Sequence, residues 1–266
     1  MKLAVSGKGG VGKTTLVAIL ARLIARQGGR VLAIDADPAI GLAAALGIAP
    51  GDRLRPIREM REMILERTEA RDESFGQYFK LNPHVADLPE KFSVEDRGVR
   101  LMVLGGIVKG GGGCACPENA LLKALLNHLV VLRDETAIVD MEAGLEHLGR
   151  ATIAAVDALL IVVEPGRRSV DTALAIHRLA GQVGIRRTLA VGNRVQDEAQ
   201  AAFLAGAMGN IPLLGCIGWH PELQQADMKG LPVFESSPGA VEQCRDIYNR
   251  LLAECSGPQV EEVRHG

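Results

Sequence analysis

The sequence predicts a doubly wound α/β fold: a mostly parallel sheet with helices on both faces. Short apolar runs alternate with amphipathic stretches along most of the chain, which is the pattern of a parallel sheet. Hydrophobic residues make up 47% of the 266 positions, enough for a sizeable core. Only five Phe, two Tyr and one Trp are present, so that core is aliphatic, as in sheets covered on both faces.

The start, "KLAVSGKGGVGKTTLVAILARLIARQGGRVLAID", reads as a short strand, a glycine loop, an amphipathic helix over Thr14 to Gln27, a Gly28/Gly29 stop and a second strand ending at Asp35. A short Ala-rich helix follows from Ile40 to Leu46. Residues 49–100 are rich in charge and turn formers and read as an irregular insertion with one charged helix near 57–70. Strands are then predicted at "RLMVLG" (100–105), "AIVDM" (137–141), "ALLIVVE" (158–164), "TLAVGNRV" (188–195) and "LLGCIGW" (213–219), with helical stretches between them. A last helix runs from about Pro238 to Glu254. Residues 1–255 are read as a single domain carrying that insertion, and 256–266 as a polar tail.

The net charge of −2, with no basic run interleaved with aromatics, argues against a nucleic-acid partner. No apolar run is long enough for a signal peptide or a bilayer span, so a cytoplasmic protein with no membrane partner is expected. Five cysteines in that compartment are expected to stay reduced, which leaves metal binding or redox chemistry open.

"GKGGVGKT" fits G-x-x-x-x-G-K-[ST] between a predicted strand and a predicted helix, the context a P-loop needs. Gly7, Lys8, Gly9, Gly10, Val11, Gly12, Lys13, Thr14 and Thr15 form the candidate nucleotide-binding loop. Its backbone N–H groups can curl around phosphate oxygens. Lys13 brings charge to the β- and γ-phosphates, and the Thr14 hydroxyl can ligate Mg²⁺. "DADP" puts Asp35 and Asp37 at the carboxyl edge of the sheet, where carboxylates hold Mg²⁺ waters or orient an attacking water. Each is alternatively a turn or cap residue before Pro38. "AIVDMEAG" places Asp140 where a Walker B carboxylate holds Mg²⁺ through water. His147 reads as a partly exposed polar residue.

The second lysine, Lys8, makes this loop similar to the deviant P-loop (deviant Walker A) of the MinD and nitrogenase-iron-protein group of ATPases. That resemblance implies that Lys8 reaches the nucleotide of a second subunit and acts with Lys13 in hydrolysis. It further implies that Asp37 orients the attacking water while Asp35 supports the metal shell, and that "MEAGLEHLGR" is a switch segment. It implies that Asn193, next to Arg194 in "AVGNRV", contacts adenine. "GWHPEL" (218–223), with His220 and Pro221, is a candidate to close over the base; Trp219 there is equally an ordinary core residue.

"KGGGGCACPEN" carries Cys114 and Cys116 after four glycines. In an extended segment both sulfurs point one way, and Pro117 suits the first turn of a helix with Cys116 near its N-cap, where thiolate is favoured. Metal binding, a redox disulfide and no special role are the three readings of the pair. Two thiolates are too few for a closed tetrahedral site, so a symmetric partner would supply two more. Cys216, Cys244 and Cys255 read as packing residues.

The P-loop, the switch segment and the thiol segment together resemble most closely the CooC-type ATPases, maturation factors for nickel-containing carbon monoxide dehydrogenase. The resemblance implies a homodimer governed by ATP/ADP, a Cys114/Cys116 site for Ni²⁺ (or Zn²⁺) shared between subunits, and apo carbon monoxide dehydrogenase as client. An electron-donating iron-sulfur ATPase would need a second cysteine loop soon after Asp140, and residues 141–150 contain none. A MinD-like positioning ATPase would need a basic amphipathic C-terminus, and an iron-sulfur scaffold a C-x-x-C there; "DIYNRLLAECSGPQVEEVRHG" offers neither.

Overall fold

The computed structural model describes residues 1–49, 51, 54–70, 78–105, 116–131, 135–143 and 150–256. The strands are β1 (Lys2–Gly7), β2 (Val31–Asp35), β3 (Ser93–Asp96), β4 (Val99–Val103), β5 (Thr136–Asp140), β6 (Ala158–Val163), β7 (Thr188–Val195) and β8 (Leu213–Gly218). The helices are α1 (Lys13–Arg26), α2 (Leu42–Leu46), α3 (Arg61–Thr68), α4 (Leu88–Lys91), α5 (Pro117–Val131), α6 (Arg150–Ala155), α7 (Arg167–Val183), α8 (Glu198–Ala207), α9 (Pro221–Lys229), α10 (Val233–Ser236) and α11 (Pro238–Ser256).

The strands form one sheet in the order β3-β4-β2-β5-β1-β6-β7-β8. Every pairing is parallel except β3 with β4. Because side chains alternate along a strand, Leu3 and Val5 face one core with α1, α2, α10 and α11, while Ala4 faces a second core with α5, α7 and α8. The two cores are the predicted helix layers.

β3 departs from the expected irregular insertion. Its pattern is too short and charged to read as a strand, yet the Arg97–Gly98 turn folds it back on β4, both residues taking positive φ (46° and 78°) as a tight hairpin requires. Arg97 stands where Asn or Asp would have announced such a turn. Residues 93–103 therefore belong to the sheet. The charged helix expected near 57–70 is a 3₁₀ turn at Ile57–Glu59 followed by α3. Arg67 of α3 forms a two-pronged pair with Asp87, at 2.9 and 2.7 Å, which holds the Asp87 carboxyl well below the usual carboxylate range.

α1 is buried on nearly all sides, and one of its buried residues is Arg22, only 3% exposed. Its guanidinium donates to the Asp96 carbonyl (2.6 Å), the Leu46 carbonyl (2.7 Å) and the Asp96 carboxylate, tying the helix to α2 and to the hairpin. Arg22→Met keeps the stem but leaves the buried Leu46 carbonyl and the part-buried Asp96 carbonyl without their donor. It is expected to cost about 2 kcal/mol of unfolding free energy, read as a lowered urea midpoint.

Candidate functional site

β1 ends in the glycine loop, and two of its glycines are sterically compelled. A Cβ on Gly7 would sit 2.5 Å from the Val162 carbonyl oxygen, and one on Gly12 2.2 Å from Asn193 Nδ2. Gly12 caps α1 in the left-handed region (φ 97°) and contributes no side chain, so the first turn of the helix presents backbone N–H groups to the cavity. Lys8, Gly9 and Gly10 are exposed along the loop, and Val11 is buried beneath it.

Parallel pairing of β2 with β5 sets Asp35 directly beside Asp140, both fully buried. Asp35 Oδ2 accepts the N–H groups of Gly41 (3.1 Å) and Leu42 (3.0 Å), so it serves the turn into α2. Burial raises its pKa despite those donors. Asp37 accepts from Ala39 N at 2.8 Å and faces Lys13 Nζ at 3.3 Å. The capping reading thus holds in part for both aspartates.

The Thr14 hydroxyl donates to Asp140 Oδ2 at 2.6 Å. Among the described residues nothing hydrogen-bonds the buried Asp140 Oδ1. Burial pushes the Asp140 pKa up to about 7, Thr14 opposing the rise and the charge on Asp35 adding to it. An orphaned carboxylate oxygen, a threonine hydroxyl and a phosphate cradle fit Mg²⁺, which keeps waters and takes few protein ligands when phosphate is present. No group of three or more His, Cys, Asp or Glu among the described residues is placed to hold a metal.

A cavity of about 500 Å³ runs from Gly10, Lys13 and Thr14 past Asp37 to Asn193, Arg194, Trp219 and His220. The structure thus brings the predicted phosphate and base residues to one cleft. Asn193, buried, donates Nδ2 to the Val11 carbonyl at 2.7 Å, which fixes its amide orientation. Trp219 is 44% exposed and so is not core. Pro221 opens α9, and His220 is the cap before it.

Sequence reading missed the supports. Ser6 Oγ donates to the Glu142 carbonyl at 2.8 Å, joining β1 to the segment after Asp140. Glu164 holds Arg194, and Gln243 on α11 holds both Gly218 N and His220 Nε2 at 2.9 Å. All are pairs distant in sequence, with no local signal.

Cys116 is half-buried at the head of α5, its carbonyl accepting the first helical bond from Ala120 N at 3.1 Å, as the N-cap reading expects. Cys114 and His147 lie outside the described residues. Cys244 is buried, its thiol pushed up to about 12; Cys216 and Cys255 are half-buried and raised by the same cause. No helix among the described residues is long and apolar enough to cross a membrane.

A family model described as the CobQ/CobB/MinD/ParA nucleotide binding domain matches residues 2–233. The carbon monoxide dehydrogenase accessory protein CooC of Rhodospirillum rubrum is 44% identical over 256 residues, covering 95% of each chain. An uncharacterized ATP-binding protein of Methanocaldococcus jannaschii is 38% identical over 255 residues, 95% of this chain and 98% of its own. Among solved structures, the MinD cell division protein of Aquifex aeolicus superposes with a TM-score of 0.66 at 23% identity, covering 97% of this chain and 99% of that one. MinD of Pyrococcus horikoshii, complexed with Mg-ADP, gives 0.65 at 18%, covering 97% and 100%. Those two likenesses establish the fold.

Asp140→Asn provides a test of the buried carboxylate. A folded-state pKa near 7 lies above the ordinary 3.8, so ionisation costs stability as pH rises through that window and the cost persists above it. The ligand-free variant is therefore expected to melt higher than the parent at about pH 8, with the gain vanishing toward about pH 4; melts across that range check it.

Proposed function

The chain belongs to the CobQ/CobB/MinD/ParA nucleotide-binding family, and within it to the CooC-type ATPases, and from that premise we propose that it delivers nickel to the active-site cluster of carbon monoxide dehydrogenase. The observation that carries this reading is the 44% identity to CooC along 95% of both chains.

In this reading ATP lies along the cleft with its phosphates on the loop from Gly7 to Thr15. Lys13, buried beside Asp37, neutralises the β- and γ-phosphates, and Asp37 orients the attacking water. Thr14 and Asp140 hold Mg²⁺, with Asp35 behind them; when bound, the ion offsets the charge that builds on the phosphoryl oxygens. With Asn193 Nδ2 committed to Val11, its Oδ1 is left to accept from an exocyclic amine, which suits adenine. Lys8, exposed on the loop, reaches the nucleotide of a second copy, so hydrolysis and dimerisation are coupled.

In sequence the thiol segment comes after β4, whose carboxyl end lies at the same edge of the sheet as that of β1, which leads into the P-loop. With β2 and β5 between them, the ends of β4 and β1 are three strand spacings apart, about 14 Å. Cys114 and Cys116 from each of two copies complete a four-thiolate site for the nickel cargo, which Zn²⁺ also fits. The chain is proposed to be a single domain, and the apo dehydrogenase its client.

Anaerobic Ni²⁺ titration of the reduced protein, followed by thiolate absorption and molecular mass, is expected to give one metal per two chains and none with the Cys114→Ser/Cys116→Ser variant. Binding unaffected by that variant would remove the metal half of the proposal. The lysines are expected to fail differently. Lys13→Ala loses ATP binding, whereas Lys8→Ala binds ATP and hydrolyses it slower by about a hundredfold, the effect of losing one transition-state donor. Equilibrium binding and steady-state turnover separate the two.

A further inference from the structure

Trp219 is the one tryptophan of the chain, and it stands 44% exposed at the wall of the nucleotide cleft. A large aromatic left that exposed forgoes much of the gain from burial, yet the backbone around it is pinned. Its own N–H donates to the Val195 carbonyl at 3.1 Å. On one side Gly218 N donates to Gln243 Oε1; on the other the His220 ring lies between Gln243 Oε1 and Glu222 Oε1, at 2.9 and 3.2 Å.

Beside the indole, and lining the same cavity, is Arg194, its guanidinium carbon 5.9 Å from the ring centroid and its Nη1 bonded to Glu164 Oε1 at 2.5 Å. Arg194 takes a positive φ of 56°, a strained conformation for a non-glycine residue and one that persists where the surroundings impose it. It follows Asn193, whose amide touches the P-loop at Val11. A strained arginine, held by a carboxylate and set against a fixed, half-exposed indole, is the construction of a stacking platform.

We propose that Trp219 is the specificity-determining residue for the base: the purine stacks on the indole face that Arg194 does not cover, in an order guanidinium, indole, purine. Purines offer more ring than pyrimidines, so the platform selects purine nucleotides. This rests on the nucleotide-site reading above and adds the base selectivity to it.

The test uses the full chain with Mg²⁺ and three probes: ADP, CDP and inorganic tripolyphosphate. The single tryptophan reports directly. ADP is expected to quench its emission, CDP to do so more weakly, and tripolyphosphate to bind with little change. Trp219→Ala is expected to weaken ADP by roughly tenfold, the range of one base stacked on an aromatic ring, with tripolyphosphate affinity unchanged; Trp219→Phe recovers most of the loss and shows that the variants fold. ADP binding with unaltered emission, and equal ADP affinity in Trp219→Ala, would overturn the stack while leaving the nucleotide site standing. Failure of both ADP and tripolyphosphate to bind would overturn that site and the stack with it.

Discussion

Pairing of β2 with β5 brings Asp35 and Asp140 together, two buried carboxylates at the ends of neighbouring strands. Like charges in a site of low dielectric cannot both ionise without help. The rest of the carboxyl edge is arranged as that help. The turn into α2 aims two N–H groups at Asp35, Thr14 donates to Asp140, and Lys13 faces Asp37 nearby. Among the described residues one oxygen of Asp140 is still left over. In the proposed function a cation bound with phosphate would complete the site.

The same residues explain why α1 is so deeply buried. Its N-terminus carries Lys13 and Thr14, and a helix that shifted would break their contacts with Asp37 and Asp140. Arg22, two turns further along, pins the helix to α2 and the β3–β4 hairpin. Near the helix end, Arg26 lies over the Phe234 ring with 4.3 Å from guanidinium carbon to centroid. Burying a guanidinium is costly unless its donors are met; for Arg22, two neighbouring carbonyls and the Asp96 carboxylate meet the terminal nitrogens, while Nε has no partner among the described residues.

Most of the sheet was legible because its strands are unbroken aliphatic runs, and the P-loop because glycine, lysine and threonine spacing carries its own chemistry. Lys13, Thr14, Asp35, Asp37 and Asp140 converge as expected. β3 was hidden, since four residues of "SVED" carry no apolar period and Arg97 takes the left-handed turn conformation without the usual residue type. Trp219 was ambiguous because composition does not tell a core aromatic from an exposed one; only its 44% exposure decides. Glu164 and Gln243 were invisible because their partners lie 30 and 25 residues away.

The sheet order also relates the nucleotide site to the thiol segment. After Asp140 the chain runs through Glu142, whose carbonyl is held by Ser6 of β1, and leads on to α6. α6 packs against α5, where the buried Thr152 hydroxyl donates to Asn127 Oδ1 at 3.5 Å. α5 is the helix that Cys116 heads. The chain that leaves Asp140 therefore leads on to α6, which packs against the helix that Cys116 heads. For the two ends to be coupled in the proposed function, the energy has to come from a nucleotide that binds two arrangements of these elements unequally. In the proposed cycle the γ-phosphate supplies that difference: its charge sits against the Asp37, Lys13 and Asp140 cluster when present and is withdrawn on hydrolysis. The cluster least able to satisfy itself is thus the one best placed to feel whether ATP or ADP is bound.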